Sequence, residues 1–174
     1  MTLQQDLLEQ AENLVTSSKP GPSKQANLRR AVSAAYYALF HQFTADATFS
    51  HISNVSGLRE VSRRSLGHGQ MKDACKAFLS YNPPKKREVK NFVDLINPPL
   101  DTDLKFVLEA FIELQAARHN ADYNTLIPQS RSDALRLVSK AKEAHSKWTK
   151  ASGIGSTANA KILMAAFMLK PRLG

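Results

Sequence analysis

Arg118, His119 and Asp122 stand within five residues of one another, and their types suit proton transfer and the holding of negative charge at neutral pH. Arg118 and Asp122 are four residues apart, so on a helix they share a face. Arg118 also falls two heptads after Leu104 on an otherwise apolar stripe. A charged pair therefore replaces hydrophobes where that stripe should enter a core or an interface. His119 points about 100° away around the helix and would need a helix end or a second chain to meet Arg118 in one pocket. His68 lies between Gly67 and Gly69 at an apparent helix start. The helix macrodipole there disfavours imidazolium and suits the ring to act as a base. Each feature also has a plainer reading. Arg118 and Asp122 could form a bridge holding a helix end, His119 could be a solvated surface residue, and His68 a capping or loop residue.

The elements that must position these groups read as helices. Leu3, Leu7, Leu8, Ala11, Leu14 and Val15 recur at helical spacing until Lys19-Pro20-Gly21-Pro22 stops them. From about Ser23, a plausible cap, Leu28, Val32, Ala35, Tyr36, Leu39, Phe40 and Phe43 form a wide apolar stripe. On that helix Arg29 shares a face with Val32, Tyr36 and Phe40, while Arg30, Ser33, Ala34, Tyr37 and His41 share the more polar neighbouring face. Packing is the expected role of Tyr36 and Tyr37, and Tyr37 is alternatively placed to hydrogen-bond the Arg118 and Asp122 pair.

Residues 44–69 read as a loop with a short helix from Val55 to Ser65. Met71, Ala74, Cys75, Phe78 and Leu79 restore the helical period until Asn82-Pro83-Pro84, and Asn97-Pro98-Pro99 makes a further stop. Asp101 or Thr102 can cap the helix that ends in Arg118 and Asp122. Pro128 and Ser130 open the next, with Leu135, Val138, Ala141, His145 and Trp148, before Gly153 and Gly155 break it. A last apolar segment, Ala158 to Leu169, is suited to docking on the domain or on another subunit. The expected architecture is all-α, an up-and-down bundle of four to five helices over residues 1–152 with a C-terminal helical tail at 153–174.

Composition narrows the function classes. With 24 Lys and Arg against 15 acidic residues the chain carries +9, a field that can attract phosphates. Arg59, Arg63 and Arg64, and Lys85, Lys86, Arg87 and Lys90, are candidate phosphate contacts, or simply a solvated face. The lone Cys75 excludes an internal disulfide and a cysteine-rich metal site, and scattered histidines give no metal-ligand spacing, so no metal or cofactor is expected. The first twenty residues lack a secretory pattern and the longest apolar run is too short for a bilayer, so a cytoplasmic location off the membrane is expected.

Two segments taken together, Arg29-Arg30-Ala31-Val32-Ser33-Ala34-Ala35-Tyr36-Tyr37-Ala38-Leu39-Phe40-His41 and Arg118-His119-Asn120-Ala121-Asp122-Tyr123, resemble prokaryotic HEPN-domain proteins. In that family an Ala-Tyr-Tyr-Ala-x-Phe stretch lies on an early helix and an Arg-x-x-Ala-Asp-Tyr stretch ends a later one. The likeness spans residues 5 to 150, and His68 is similar to the family's histidine opening the helix between them. The resemblance implies a bundle that commonly dimerises, with polar residues of two late helices meeting in a cleft. Several members are RNases, often toxins paired with a nucleotidyltransferase antitoxin, while others lack demonstrated chemistry. Related proteins often carry arginine where Ala34 stands, and Arg30 one turn earlier is placed to supply its charge.

The catalytic members carry Arg-x(4–6)-His, which counted from Arg118 requires histidine at 123, 124 or 125. Tyr123, Asn124 and Thr125 stand there, so the motif is incomplete. Arg63 to His68 fits the spacing, but about one such match is expected by chance. Metal-free RNA cleavage needs a base for the ribose 2′-hydroxyl, a cation for the transition-state charge and an acid for the leaving oxygen. On the resemblance, Arg118, Asp122, Tyr123, His68 and His119 are the candidate catalytic residues, with Arg30, Tyr37, Arg63, Arg64, Lys85, Lys86 and Arg87 as candidate RNA or nucleotide contacts. Two functions follow as expectations. One is an RNA- or nucleotide-associated, toxin-like protein acting as a homodimer. The other is a noncatalytic dimerisation or binding module that partners a nucleotidyltransferase.

Overall fold

The computed structural model of the chain describes residues 1–16, 24–52, 55, 57–81, 87–150 and 154–168. The described residues are helical and contain no strand. They form α1 (Leu3–Thr16), α2 (Gln25–His51), α3 (Leu58–Arg64), α4 (His68–Ser80), α5 (Arg87–Val93), α6 (Thr102–Tyr123), α7 (Arg131–Thr149), a 3-10 turn (Ile154–Ser156) and α8 (Ala158–Phe167). The described residues thus hold eight helices, where a bundle of four to five and a C-terminal helix was expected. The short α5 was not foreseen, because seven residues between proline-rich stops carry too few turns to display a period.

The 27-residue α2 is the axis, packed by α1, α6, α7 and α8. It continues eight residues beyond Phe43, through sequence expected to be loop. Thr44 and Thr48 make this possible, because each buried hydroxyl bonds a carbonyl of its own helix: Thr44 donates to His41 O at 3.2 Å and Thr48 to Thr44 O at 2.8 Å. The core is aromatic, with Tyr36, Phe43, Phe78, Phe111 and Phe167 fully buried. The Phe43 ring lies 5.1 Å from that of Phe111 and 5.8 Å from that of Phe167, so α8 shares a core with the helices before residue 152.

Helix starts follow the chemistry of their first residues. The Asp101 carboxylate accepts from Asp103 N at 2.7 Å to open α6, and the Ser130 hydroxyl accepts from Asp133 N at 3.0 Å to open α7. α4 begins at His68 after extended Gly67. The Ser23 cap, the 19–22 and 82–84 stops and Gly153 lie outside the described residues.

Candidate functional site

The site begins with how α6 ends. The last turn of a helix leaves carbonyls without partners. Arg29, reaching across from α2, donates from one terminal nitrogen to Ala121 O at 2.8 Å and Asn124 O at 3.0 Å, and from the other to Ile127 O at 2.7 Å. Gln25, one turn earlier, brackets Gln129: its amide nitrogen donates to Gln129 O at 2.9 Å and its amide oxygen accepts from Gln129 N at 2.8 Å. α2 therefore dictates where α6 stops and holds the following loop in place.

That clamp brings the polar face of α2 against the last turns of α6. Arg118 Nε lies 2.6 Å from Asp122 Oδ2, an ion pair in which the N–H is not well aligned for a hydrogen bond. Its terminal nitrogen donates to the Tyr37 hydroxyl at 2.8 Å. The Ser33 hydroxyl donates to the other Asp122 oxygen at 2.5 Å. The guanidinium carbon sits 5.3 Å from the Tyr37 ring centroid and 5.5 Å from that of Tyr123, within cation–π range. Burial works against the Arg118 charge, but Tyr37, Asp122 and Tyr123 outweigh it and raise its pKa.

Behind this network lies a layer of rings. The hydroxyl of fully buried Tyr36 is 2.6 Å from His68 Nδ1, and the His68 ring packs 4.1 Å from Phe40 and 5.9 Å, edge-on, from Tyr37. Burial pushes the Tyr36 phenol far above its ordinary range. His68 is moved the other way, its pKa lowered by burial and then by the Arg118 and His41 charges. His41 stacks on Tyr37 at 5.9 Å, and burial with nearby Arg63 lowers its pKa too. Both rings are thus held as neutral imidazoles near pH 7.

The network opens onto a cleft of about 480 Å³ between α1, α2 and α6. Arg29, Arg30, Ser33, Tyr37 and Asp122 line its polar side, and Leu7 and Ala34 its apolar side. Arg29 is occupied by carbonyls, whereas Arg30 is exposed and makes no hydrogen bond or ion pair among the described residues. The cleft wall itself offers the Arg30 guanidinium and the Ser33 and Tyr37 hydroxyls to an oxyanion, while Arg118, joined to the wall through Tyr37 and Asp122, and the His41 and His68 rings are not among its lining residues.

Of the residues singled out from the sequence, Arg118, Asp122, Tyr37 and Tyr123 meet directly, His68 sits within electrostatic reach of Arg118, and Arg30 lines the cleft. His119 is exposed and contacts the Tyr123 ring at 5.1 Å, on the side its helical angle demands. Among the basic clusters, Arg59 donates to Ile52 O at 3.1 Å and covers Phe49. Arg64 pairs with Glu60 at 3.2 Å, and Arg63 lies beside His41 with its Nε sealed from solvent. Lys85, Lys86 and the Arg87 side chain lie outside the described residues, and Lys90 is exposed on α5. Three contributors were not picked out: Arg29, Ser33 and His41. The spacing of Ser33, Tyr37 and His41 along one helix face was the available signal for two of them, while Arg29 had none, since its partners are backbone carbonyls.

Compared with protein-family models, curated proteins and solved structures, the chain matches none. Among the described residues no helix is long and apolar enough to cross a membrane, and no three His, Cys, Asp or Glu side chains are grouped to hold a metal ion.

Proposed function

We propose that this is a HEPN-type, toxin-like domain that associates with RNA or nucleotides, binding phosphate at the Arg118–Asp122–Tyr37 network and working as a pair of chains. The observation that carries the reading is the arrangement of that network. A half-buried arginine is oriented by a carboxylate and a phenol that both line a cleft, two histidines with lowered pKa values lie near it, and Arg30, without a hydrogen bond or ion pair among the described residues, stands on the wall beside Tyr37 and Asp122. Arginine in a fixed fork binds phosphate without reading sequence. Tyr123, where catalytic relatives carry histidine, lays its ring beside the guanidinium and offers a phenol in place of an imidazole, so an imidazole for cleavage would have to come from His68 or His41.

The test is binding of fluorescein-labelled single-stranded RNA, followed by anisotropy, with cleavage of the same RNA assayed in EDTA. Wild-type protein is expected to bind with an affinity that falls steeply with salt. Arg118→Ala should weaken binding about tenfold or more with helical content unchanged, since a charged hydrogen bond contributes about 1.5–3 kcal/mol. Failure of wild-type protein to bind any of a varied set of RNAs and nucleotides would end the reading.

A second reading, a noncatalytic module partnering a nucleotidyltransferase, has an observation of its own. Tyr123, the last residue of α6, and Leu126 and Ile127, on the loop that Arg29 and Gln25 hold in place, are 66%, 91% and 60% exposed. Bracing an apolar loop in water is the expected design of a protein-binding surface. Leu126→Asp would abolish co-purification with such a partner and leave RNA binding intact.

A further inference from the structure

His68 looks from its sequence position like a base, yet its surroundings argue for the opposite role. Tyr36 is fully buried, and among the described residues its hydroxyl has one hydrogen-bond partner, His68 Nδ1, at 2.6 Å. No other side chain among the described residues accepts from the phenol. Arg118 has no acceptor atom, the Tyr37 hydroxyl is engaged by Arg118, and Cys75 is a buried thiol. If Nδ1 carried the ring proton, the phenol proton would be left buried with no acceptor, an arrangement folded proteins avoid. Tyr36 therefore donates and Nδ1 accepts, which in a neutral imidazole puts the proton on Nε2.

Nε2 has no hydrogen-bond partner among the described residues, and it is not one of the side-chain atoms sealed from solvent without one. The groups facing the ring are Tyr36, Tyr37 and His41 from α2 and Arg118 from α6, with Arg63 of α3 behind His41. None is a carboxylate. The ring thus presents an N–H without an acceptor among the described residues, within electrostatic reach of an Arg118 guanidinium that is already paired with Asp122 and the Tyr37 hydroxyl. We infer that Tyr36 locks His68 in its Nε2–H form, so that His68 donates to a phosphate oxygen beside Arg118 and does not serve as the general base. The lowered pKa of His68, set first by burial and then by the Arg118 and His41 charges, agrees with a neutral ring.

The phosphate half of this inference rests on the function proposed above, and the tautomer half does not. Histidine-selective nitrogen-15 NMR on the wild-type protein at pH 7.5 separates them. The expected spectrum shows an unprotonated Nδ1, a protonated Nε2, and a slowly exchanging Tyr36 hydroxyl proton coupled to Nδ1. A proton on Nδ1 would overturn the inference, whatever the protein binds. Alongside it, anisotropy with labelled oligouridylate, competed by inorganic phosphate, should show His68→Ala weakening binding about tenfold. His68→Gln, whose amide can still donate, should stay within about threefold of wild type. Equal loss in both variants would overturn the donor role. The expected tautomer in a protein that binds neither probe would overturn the phosphate role together with the proposed function.

Discussion

Two carboxylates tie α2 to neighbouring helices, its own Asp46 to α7 and Asp122 of α6 to its N-terminal half, and the two ties are built differently. Near its C-terminal end Asp46 accepts from Trp148 Nε1 at 2.7 Å and Gln42 Nε2 at 2.8 Å. Trp148 is 2% exposed, its ring is 4.5 Å from that of Phe43, and Gly155 folds so tightly over it that a Cβ there would come within 2.9 Å of the indole. Near the N-terminal end the carboxylate is Asp122, bonded by Ser33 and paired with Arg118; the two side chains keep 28% and 17% of their exposure, and Asp122 lines a cleft. The same device, a carboxylate bridging two helices, is tied to a buried indole at one end, with Asp46 itself half-buried, and faces a cleft at the other. A closed polar contact fixes a fold, and an open one with donors to spare is available to a ligand.

Breaking the closed end should cost the most. Trp148→Ala removes a buried indole and strands Asp46, and is expected to lower unfolding free energy by about 3–5 kcal/mol in a urea titration. RNA binding by the remaining folded protein should be unchanged. Gly155→Ala is a milder probe of the same packing. Its methyl would press on the Trp148 ring and backbone oxygen, for a loss of about 1–3 kcal/mol by the same titration. Arg118→Ala inverts the pattern, with a stability change of about 1 kcal/mol or less for a partly exposed ion pair and a large loss in binding. A stability loss as large as that of Trp148→Ala would erase the distinction between the ends.

Acid tests both ends together. His41, His68 and His145 all have pKa values lowered mainly by burial from the ordinary 6.5, so the unfolded chain takes up protons first as pH falls. Their stability contribution is fully present above about pH 6.5 and is lost as pH drops toward the lower folded values. Thermal melts should show Tm falling below pH 6.5 and level between 7 and 8. The smallest effect belongs to Arg64→Ala, which lies outside both clusters and, among the described residues, pairs with exposed Glu60. It should shift stability by less than about 0.5 kcal/mol.

The sequence carried the parts of this molecule that are local and periodic. The Asp101 and Ser130 caps, the α4 start at His68 and the shared face of Arg118 and Asp122 all depend on residues within four positions of one another. The polar face of α2 was legible for the same reason, and Tyr36 was rightly assigned to the core. What escaped were contacts whose partners lie far along the chain or are backbone atoms. Arg29 binds carbonyls more than ninety positions away, and no side-chain pattern announces that. The extension of α2 through Thr44 and Thr48 escaped because threonine is a weak helix former until burial recruits its hydroxyl to the helix's own carbonyls. The link between Tyr36 and His68 joins two helices, so the histidine's position was readable while the proton it carries was not.

The central claim is that the open end of α2 binds phosphate through Arg118. Titrating labelled single-stranded RNA into wild-type protein and Arg118→Ala at low salt, with circular dichroism on both, tests it most directly. The account predicts salt-sensitive binding by the wild type and a loss of about tenfold or more in a variant with the same helical content. Equal affinity of the two proteins, with both folded, would contradict it.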